Sequence, residues 1–99
     1  MTGTSGGPSP LRGKTALVTG ASSGLGVDFA RELAGLGCNL VLVARREDLL
    51  KQVQAELQER GVKVSIVTLD LGTPDAPRAL HDLTRLQGLE VDVLVNNAG

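Results

Sequence analysis

The sequence predicts an α/β fold, a doubly wound parallel sheet of which four strands are present. Short apolar and β-branched runs alternate with amphipathic helical patterns along the chain. The segments between the runs have about the length that a crossover between parallel strands requires. Right-handed crossovers and a chain reversal after the third strand then give the order β-α-β-α-β-α-β along the chain and 3-2-1-4 across the sheet.

The first two predicted strands enclose a helix that ends in glycines. Residues 14–20, KTALVTG, form a short apolar run that stops at a glycine and predict the first strand. The helical pattern after it has one apolar face, formed by Ala30, Leu33 and Ala34. Gly35 and Gly37 close this helix. Residues 39–44, NLVLVA, are apolar almost throughout, as expected of a strand that is buried on both faces.

Residues 46–61 predict a second, amphipathic helix. Its apolar residues recur at i, i+3 and i+4 and form one stripe: Leu49, Leu50, Val53 and Leu57. Two pairs of opposite charge lie on the solvent side at i, i+4 spacing: Glu47 with Lys51, and Glu56 with Arg60. Gly61 stands where a glycine is expected just beyond a helix end.

The last third of the chain predicts a strand, a helix and a fourth strand. Residues 63–70, KVSIVTLD, are the third strand. A loop with Gly72 and Pro74 leads to the third helix, whose apolar side contains Ala76, Leu80, Leu83 and Leu86 or Leu89. Residues 91–99, VDVLVNNAG, are the fourth strand. Since ligands of open parallel sheets bind beyond the carboxyl ends of the strands, the candidate residues are Gly20–Gly26, Ala44–Arg46, Asp70 and Asn96–Gly99.

Composition and charge exclude several classes of protein. Ten Lys and Arg against 11 Asp and Glu, with no basic block, argue against nucleic-acid binding. No apolar run reaches the length of about 18 residues that predicts a membrane span. Residues 1–10 lack the pattern of a secretory signal, and their Gly, Ser, Thr and Pro content predicts a flexible tail before a domain at 11–99. Cys38 is the only cysteine, which excludes a disulfide framework and predicts a cytoplasmic protein. We identify no metal ligands.

The stretch VTGASSGLG, residues 18–26, allows a serine hydrolase as one interpretation. Gly20 to Gly24 fit the G-x-S-x-G nucleophile elbow, and Ser22, Asp70 and His81 follow the chain order of an α/β-hydrolase triad. Three points oppose it. The serine follows the first strand, the histidine falls in the middle of a predicted helix, and no earlier loop offers a second oxyanion donor. The hydrolase is therefore the weaker alternative.

The second interpretation of the same stretch is a phosphate-binding turn. Gly20 allows a tight exit from the strand, Gly24 lets the backbone approach a pyrophosphate, and Gly26 permits close packing of helix on strand. The helix N-terminus adds free N–H groups and the positive end of its dipole, and the hydroxyls of Ser22 and Ser23 can add donors. The spacing G-x3-G-x-G differs from the common G-x-G-x-x-G fingerprint. A glycine turn without a ligand remains the alternative.

Two motifs resemble those of one family. TGASSGLG, Thr19–Gly26, is similar to the TGxxxGxG cofactor motif of the short-chain dehydrogenase/reductase family, and NNAG, Asn96–Gly99, is similar to its second signature. The resemblance extends from Leu11 to Gly99. It implies a Rossmann-like domain and NAD(P)-dependent interconversion of alcohols and carbonyls. It also implies further cofactor-binding residues: Leu25 and Ala98, Asp70 and Leu71 at the adenine, Asn96 on the adenosine side, and Gly99 near the pyrophosphate and nicotinamide ribose.

The residues after the second strand predict NADP over NAD. NAD enzymes generally carry an acidic residue at the end of this strand, the position of Ala44, to accept a hydrogen bond from the ribose 2′-hydroxyl. This chain has Ala44 followed by Arg45 and Arg46. A charge-assisted contact of Arg45 with a 2′-phosphate contributes roughly 1.5–3 kcal/mol, so we expect NADPH to bind at least about 10-fold more tightly than NADH. Arg46 is the second candidate, or else it begins the solvated face of the next helix.

The catalytic set of the family is not found in this sequence. The family uses a tyrosine, a lysine four residues later and a serine, all after the NNAG turn. This chain has no tyrosine, and Lys14, Lys51 and Lys63 lie on other elements. We therefore assign no catalytic residue and expect the chain to be the cofactor-binding part of a longer protein, with its fourth strand at an open edge. The resemblance implies a small-molecule substrate and a homo-oligomer at full length; a stand-alone nucleotide-binding or interaction module is the alternative.

Overall fold

The computed structural model of the chain describes residues 10–22, 24–70, 72, 74–88 and 90–97. Within them strands and helices alternate: β1 (Thr15–Thr19), α1 (Gly24–Gly35), β2 (Asn39–Ala44), α2 (Glu47–Gln58), β3 (Val64–Thr68), α3 (Ala76–Leu86) and β4 (Val93–Val95). The strands form one parallel sheet in the order β3-β2-β1-β4. The predicted fold class and strand order are confirmed. Residues 1–9 of the predicted tail lie outside the described residues.

The core lies on both faces of the sheet. In β2 every residue from Leu40 to Ala44 is buried, as the sequence predicts for a central strand. Alternate residues of a strand point to opposite faces, so β2 serves two clusters. Leu40 and Leu42 pack with the buried residues of α1 and α2. Val41 and Val43 pack on the other side, where Leu80 of α3 contributes.

The register of the strands brings their carboxyl ends to one edge of the sheet. Thr19 pairs with Val43, and Val18 pairs with Val95. Ala44, the last residue of β2, pairs with Thr68, the last residue of β3. The segments that follow the four strands therefore leave the sheet at the same edge, which is where the candidate residues of the sequence lie.

Helix α2 forms as its pattern predicts. Leu50, Val53 and Leu57 are buried, and Leu49 is half-buried. Both predicted i, i+4 pairs are present, with 3.0 Å between the Lys51 and Glu47 side chains and 3.7 Å between those of Arg60 and Glu56. The helix ends at Gln58, and Gly61 takes a φ of +85° in the turn beyond it.

A contact between α1 and α2 was not predicted from the sequence. The Arg31 guanidinium donates two hydrogen bonds to the Glu56 carboxylate, at 2.8 Å from Nε and 3.0 Å from Nη2. The hydrogen bond from Arg31 lowers the pKa of Glu56. Periodicity within a helix reveals i, i+4 pairs, but a partner 25 residues away depends on how the helices pack.

β2 has the bounds of its predicted run, 39–44, whereas the other three observed strands are shorter than theirs. The third run, 63–70, forms a strand over Val64–Thr68, and the described residues of the fourth run, 91–97, form one over Val93–Val95. Among the residues that the structure describes, β4 pairs only with β1, and Leu94 is 64% exposed. The expected open edge is therefore present. None of the helices in the described part of the chain has the length and apolar character needed to cross a membrane.

Candidate functional site

The turn between β1 and α1 uses backbone conformations that favour glycine. Gly20 has a φ of +63°, and a Cβ on it would lie 2.7 Å from the carbonyl oxygen of Asn97. Gly24, the first residue of α1, has a φ of +58°. Apart from its chain neighbours, a Cβ on Gly24 would meet no described atom within 4 Å, so the Cβ direction of Gly24 faces open space.

Gly26 allows α1 to pack directly on this turn. A Cβ on Gly26 would lie 2.0 Å from the carbonyl oxygen of Gly20 and 3.1 Å from the Cα of Ala21. Ala21 is itself fully buried, and its N–H donates to the carbonyl oxygen of Val43 at 3.1 Å. The start of the helix is thus held against the ends of β1 and β2 without an intervening side chain.

The N-terminus of α1 is suited to an anion. Its first turn contains no acidic residue, and the first N–H groups of a helix have no partner within the helix. In contrast, the first turn of α2 contains Glu47 and Asp48. Ser22 is half-buried in the turn before α1, whereas Ser23 lies outside the described residues. Leu25, the second residue of α1, is 65% exposed beside the open space.

The buried hydroxyl of Thr19 connects the β1 exit to the segment after β4. Its Oγ1 accepts a hydrogen bond from the Asn97 N–H at 2.8 Å. The same oxygen lies 3.2 Å from Asn96 Oδ1 and 3.4 Å from the carbonyl oxygen of Val95, either of which can accept its proton. We did not identify Thr19 as a candidate from the sequence, where its only signal is its place at the start of TGASSGLG.

The two arginines after β2 differ in their partners. Both are exposed. Arg46 donates from Nε to Asp48 Oδ1 at 3.2 Å and from Nη2 to Asp48 Oδ2 at 3.0 Å. This bidentate pair raises the pKa of Arg46 and lowers the pKa of Asp48. Within the part of the chain that the structure describes, Arg45 forms no ion pair.

The remaining candidates are only partly described. Asp70 is exposed after β3, and its Oδ1 accepts a hydrogen bond from the Gly72 N–H at 2.8 Å. Asn96 is exposed after β4 and contacts Thr19. Leu71, Ala98 and Gly99 lie outside the described residues. The structure therefore brings the glycine turn and Asn96 together and places Asp70 at the same edge of the sheet.

The position of His81 in the fold does not suit a catalytic triad. His81 lies in the middle of α3, as predicted, and its side chain is 67% exposed, 3.9 Å from Asp82. A triad histidine would need a loop above the carboxyl edge of the sheet. The geometry favours the phosphate-binding interpretation of the glycine turn.

Comparison with known proteins shows what the chain is similar to. The family model described as short chain dehydrogenase matches residues 14–99. The fatty acyl-CoA reductase of Acinetobacter baylyi is 39% identical over 89 residues, which are 90% of this chain and 30% of that protein. The human very-long-chain 3-oxoacyl-CoA reductase is 38% identical over 98 residues, 98% of this chain and 31% of the relative. The chain thus spans about a third of the length of the curated relatives it matches.

A solved structure shows the same fold with a nucleotide bound. The crystal structure of L-sorbose reductase from Gluconobacter frateurii in complex with NADPH and L-sorbose superposes with a TM-score of 0.84 and 40% identity. The match covers 93% of this chain and 35% of that one.

Proposed function

The chain belongs to the short-chain dehydrogenase family, and on this premise we propose that it holds NADP(H) for hydride transfer between an alcohol and a carbonyl. One observation carries the proposal. The first turn of α1 has no carboxylate, and β2 ends in Ala44, where an NAD enzyme generally has an acid, followed by the exposed Arg45. The NADPH complex of the 40% identical sorbose reductase supports it.

The residues around the turn fit the phosphates of such a nucleotide. The open space at Gly24 leaves room for a pyrophosphate beside the backbone N–H groups of the first turn of α1. Ser22 and Ser23 would add hydroxyl donors, and Leu25 would lie against the nucleotide. Gly20 and Gly26 would act indirectly, because they let the turn and helix pack so closely.

The adenosine half would be held by residues from the other strand ends. Asp70 and Leu71 would contact the adenine, and Asn96 the adenosine side, while Ala98 and Gly99 would continue toward the nicotinamide ribose. When bound, the nicotinamide supplies the hydride acceptor or donor. The residues of this chain bind and orient it.

Arg45 is the residue that we assign to the 2′-phosphate. No carboxylate among the described residues forms an ion pair with its guanidinium, so the guanidinium can bind a phosphate as a bidentate donor. NAD has a hydroxyl in place of this phosphate and gains no charge-assisted contact. We expect the difference to favour NADP by at least about 10-fold.

Titration calorimetry with NADP⁺ and NAD⁺ tests this assignment. Arg45→Ala should weaken NADP⁺ binding by about 10- to 100-fold and NAD⁺ binding by less than about two-fold. Arg78→Ala, which removes an exposed arginine from α3, is the matched control and should change neither affinity. Equal dissociation constants of the unmodified chain for the two nucleotides would refute the proposal.

The reaction type follows from the family and the substrate class from its relatives. The relatives named above are reductases of chemically different carbonyl compounds, which supports a small-molecule alcohol or carbonyl substrate without choosing one. We propose that these 99 residues contribute cofactor binding and not the acid/base group, since they include no tyrosine. Cytoplasmic location and homo-oligomeric assembly remain predictions.

The absence of tyrosine also favours a second candidate, nucleotide binding without catalysis. The coding DNA that follows the codon for Gly99 discriminates between the two. An open frame that continues into Y-x-x-x-K supports the oxidoreductase, and a stop codon with no related frame after it supports the binding module.

A further inference from the structure

We propose that Asp48 is a specificity-determining residue of the 2′-phosphate site, because it holds Arg46 and leaves Arg45 as the arginine that binds the phosphate. This inference rests on the proposed function. It adds that the preference for NADP is set by a carboxylate on α2 as well as by the two arginines. With Asp48 present, the preference for NADP is smaller than it would be if both Arg45 and Arg46 bound the 2′-phosphate.

The geometry of the pair supports this role. Arg46 and Asp48 are joined by two hydrogen bonds, at 3.2 Å and 3.0 Å, and a guanidinium also binds a phosphate in such a bidentate way. The carboxylate therefore occupies the donors that a phosphate would use. Both side chains are exposed, at 65% and 61%, so a ligand at the edge of the sheet can compete for Arg46.

The negative charge of Asp48 also acts on the ligand itself. Asp48 is the second residue of α2 and stands two positions after Arg46, in the segment after β2 to which we assign the 2′-phosphate. The negative charges of a carboxylate and a phosphate repel each other. The first turn of α2 contains a second carboxylate, Glu47, whose partner is Lys51 at 3.0 Å. When Asp48 is neutralised, Glu47 still places a negative charge at the N-terminus of α2, where it interacts favourably with the helix dipole.

Neutralising Asp48 should therefore release Arg46 and strengthen NADP⁺ binding. An exposed ion pair contributes little, so we expect Asp48→Asn to tighten NADP⁺ by about three- to five-fold and to change NAD⁺ by less than about two-fold. Glu47→Gln is the matched control. It removes the same charge one residue away but leaves the Arg46 pair intact, and should tighten NADP⁺ by less than about two-fold.

A double-mutant cycle assigns the gain to Arg46. Titration calorimetry of the chain with NADP⁺ and NAD⁺ compares Asp48→Asn alone with Asp48→Asn in an Arg46→Met background. The gain in NADP⁺ affinity should largely disappear when Arg46 is absent. Thermal unfolding of each variant checks that α2 is retained.

The outcomes separate this inference from the proposed function. If the unmodified chain does not prefer NADP⁺, the proposed function fails and the inference with it. If the preference is present but Asp48→Asn leaves it unchanged, only the role of Asp48 is overturned. A loss of NADP⁺ affinity in Asp48→Asn also overturns it, since Asp48 would then orient Arg46 toward the phosphate.

Discussion

Replacement of Gly26 by alanine should destabilise the fold, although alanine is the better helix former. Gly26 does not use a left-handed backbone conformation, so the backbone accepts a side chain there. Helix propensity alone would then favour alanine by about 1 kcal/mol. The packing has the opposite effect, because the new Cβ would lie 2.0 Å from the carbonyl oxygen of Gly20.

The magnitude follows from what has to move. Real Cβ atoms essentially never approach heavy atoms closer than 3.0 Å, so α1 and the turn must separate by about 1 Å. The obstructing atom belongs to the main chain of a turn beside buried Ala21 and cannot rotate away. Overpacking of a close-packed site costs typically 1–3 kcal/mol or more, and the main-chain contact puts Gly26→Ala at the upper end. After helix propensity is subtracted, we expect a net loss of about 2 kcal/mol in the free energy of unfolding.

Urea denaturation followed by far-UV circular dichroism measures the effect, with a control in the same helix. Gly35, the last residue of α1, also lacks a left-handed φ, and a Cβ there meets nothing within 4 Å. Gly35→Ala should therefore raise the free energy of unfolding by up to about 0.5 kcal/mol. If Gly26→Ala proved as stable as the unmodified chain, or more stable, helix propensity would dominate and the packing argument would be refuted.

Three further predictions follow from the site and from the helix contact. Thr19→Val leaves the half-buried N–H of Asn97 without its acceptor and should lower the free energy of unfolding by about 1 kcal/mol in urea denaturation. Thr19→Ser keeps the hydroxyl and should cost less than Thr19→Val. Because Arg31 lowers the pKa of Glu56, the stability that this pair contributes is complete above the unfolded pKa of about 4.3 and is lost as the pH falls through the folded pKa. The difference in urea midpoint between the unmodified chain and Glu56→Gln should therefore shrink below about pH 4. A difference that stays constant with pH would contradict this. In Gly24→Ala the new Cβ meets no atom within 4 Å, but the alanine must adopt a φ of +58°, so the substitution should cost about 1–2 kcal/mol in stability. Because the Cβ enters the proposed phosphate site, the substitution should also abolish NADP⁺ binding measurable by calorimetry. Unchanged binding would place the pyrophosphate elsewhere.

Several features could be predicted from the sequence because they depend on local patterns. The apolar run of β2 indicated a strand with both faces covered, and the stripe of α2 indicated its buried side. The i, i+4 pair of Glu47 and Lys51 could be identified because residues at this spacing are neighbours on any helix. The glycines of TGASSGLG and the arginines after β2 were visible for the same reason.

Other features depend on residues that are distant along the chain. The bond between Thr19 Oγ1 and the Asn97 N–H joins segments 78 residues apart, and no local pattern reveals which hydroxyl faces which amide. The pair of Arg31 with Glu56 requires that α1 and α2 lie side by side. The ends of β3 and β4 were also misjudged, because a strand extends only as far as a neighbouring strand offers hydrogen bonds.

By itself, the sequence determined the order of the elements and the parallel α/β fold, because periodicity and glycine positions are local properties. The tertiary structure decided which glycines are sterically required, with Gly20 and Gly26 against main chain and Gly24 in open space. It also decided that Arg46 is paired with Asp48 while Arg45 forms no ion pair in the described residues. Both depend on distances between atoms in the folded structure, which local sequence patterns do not reveal.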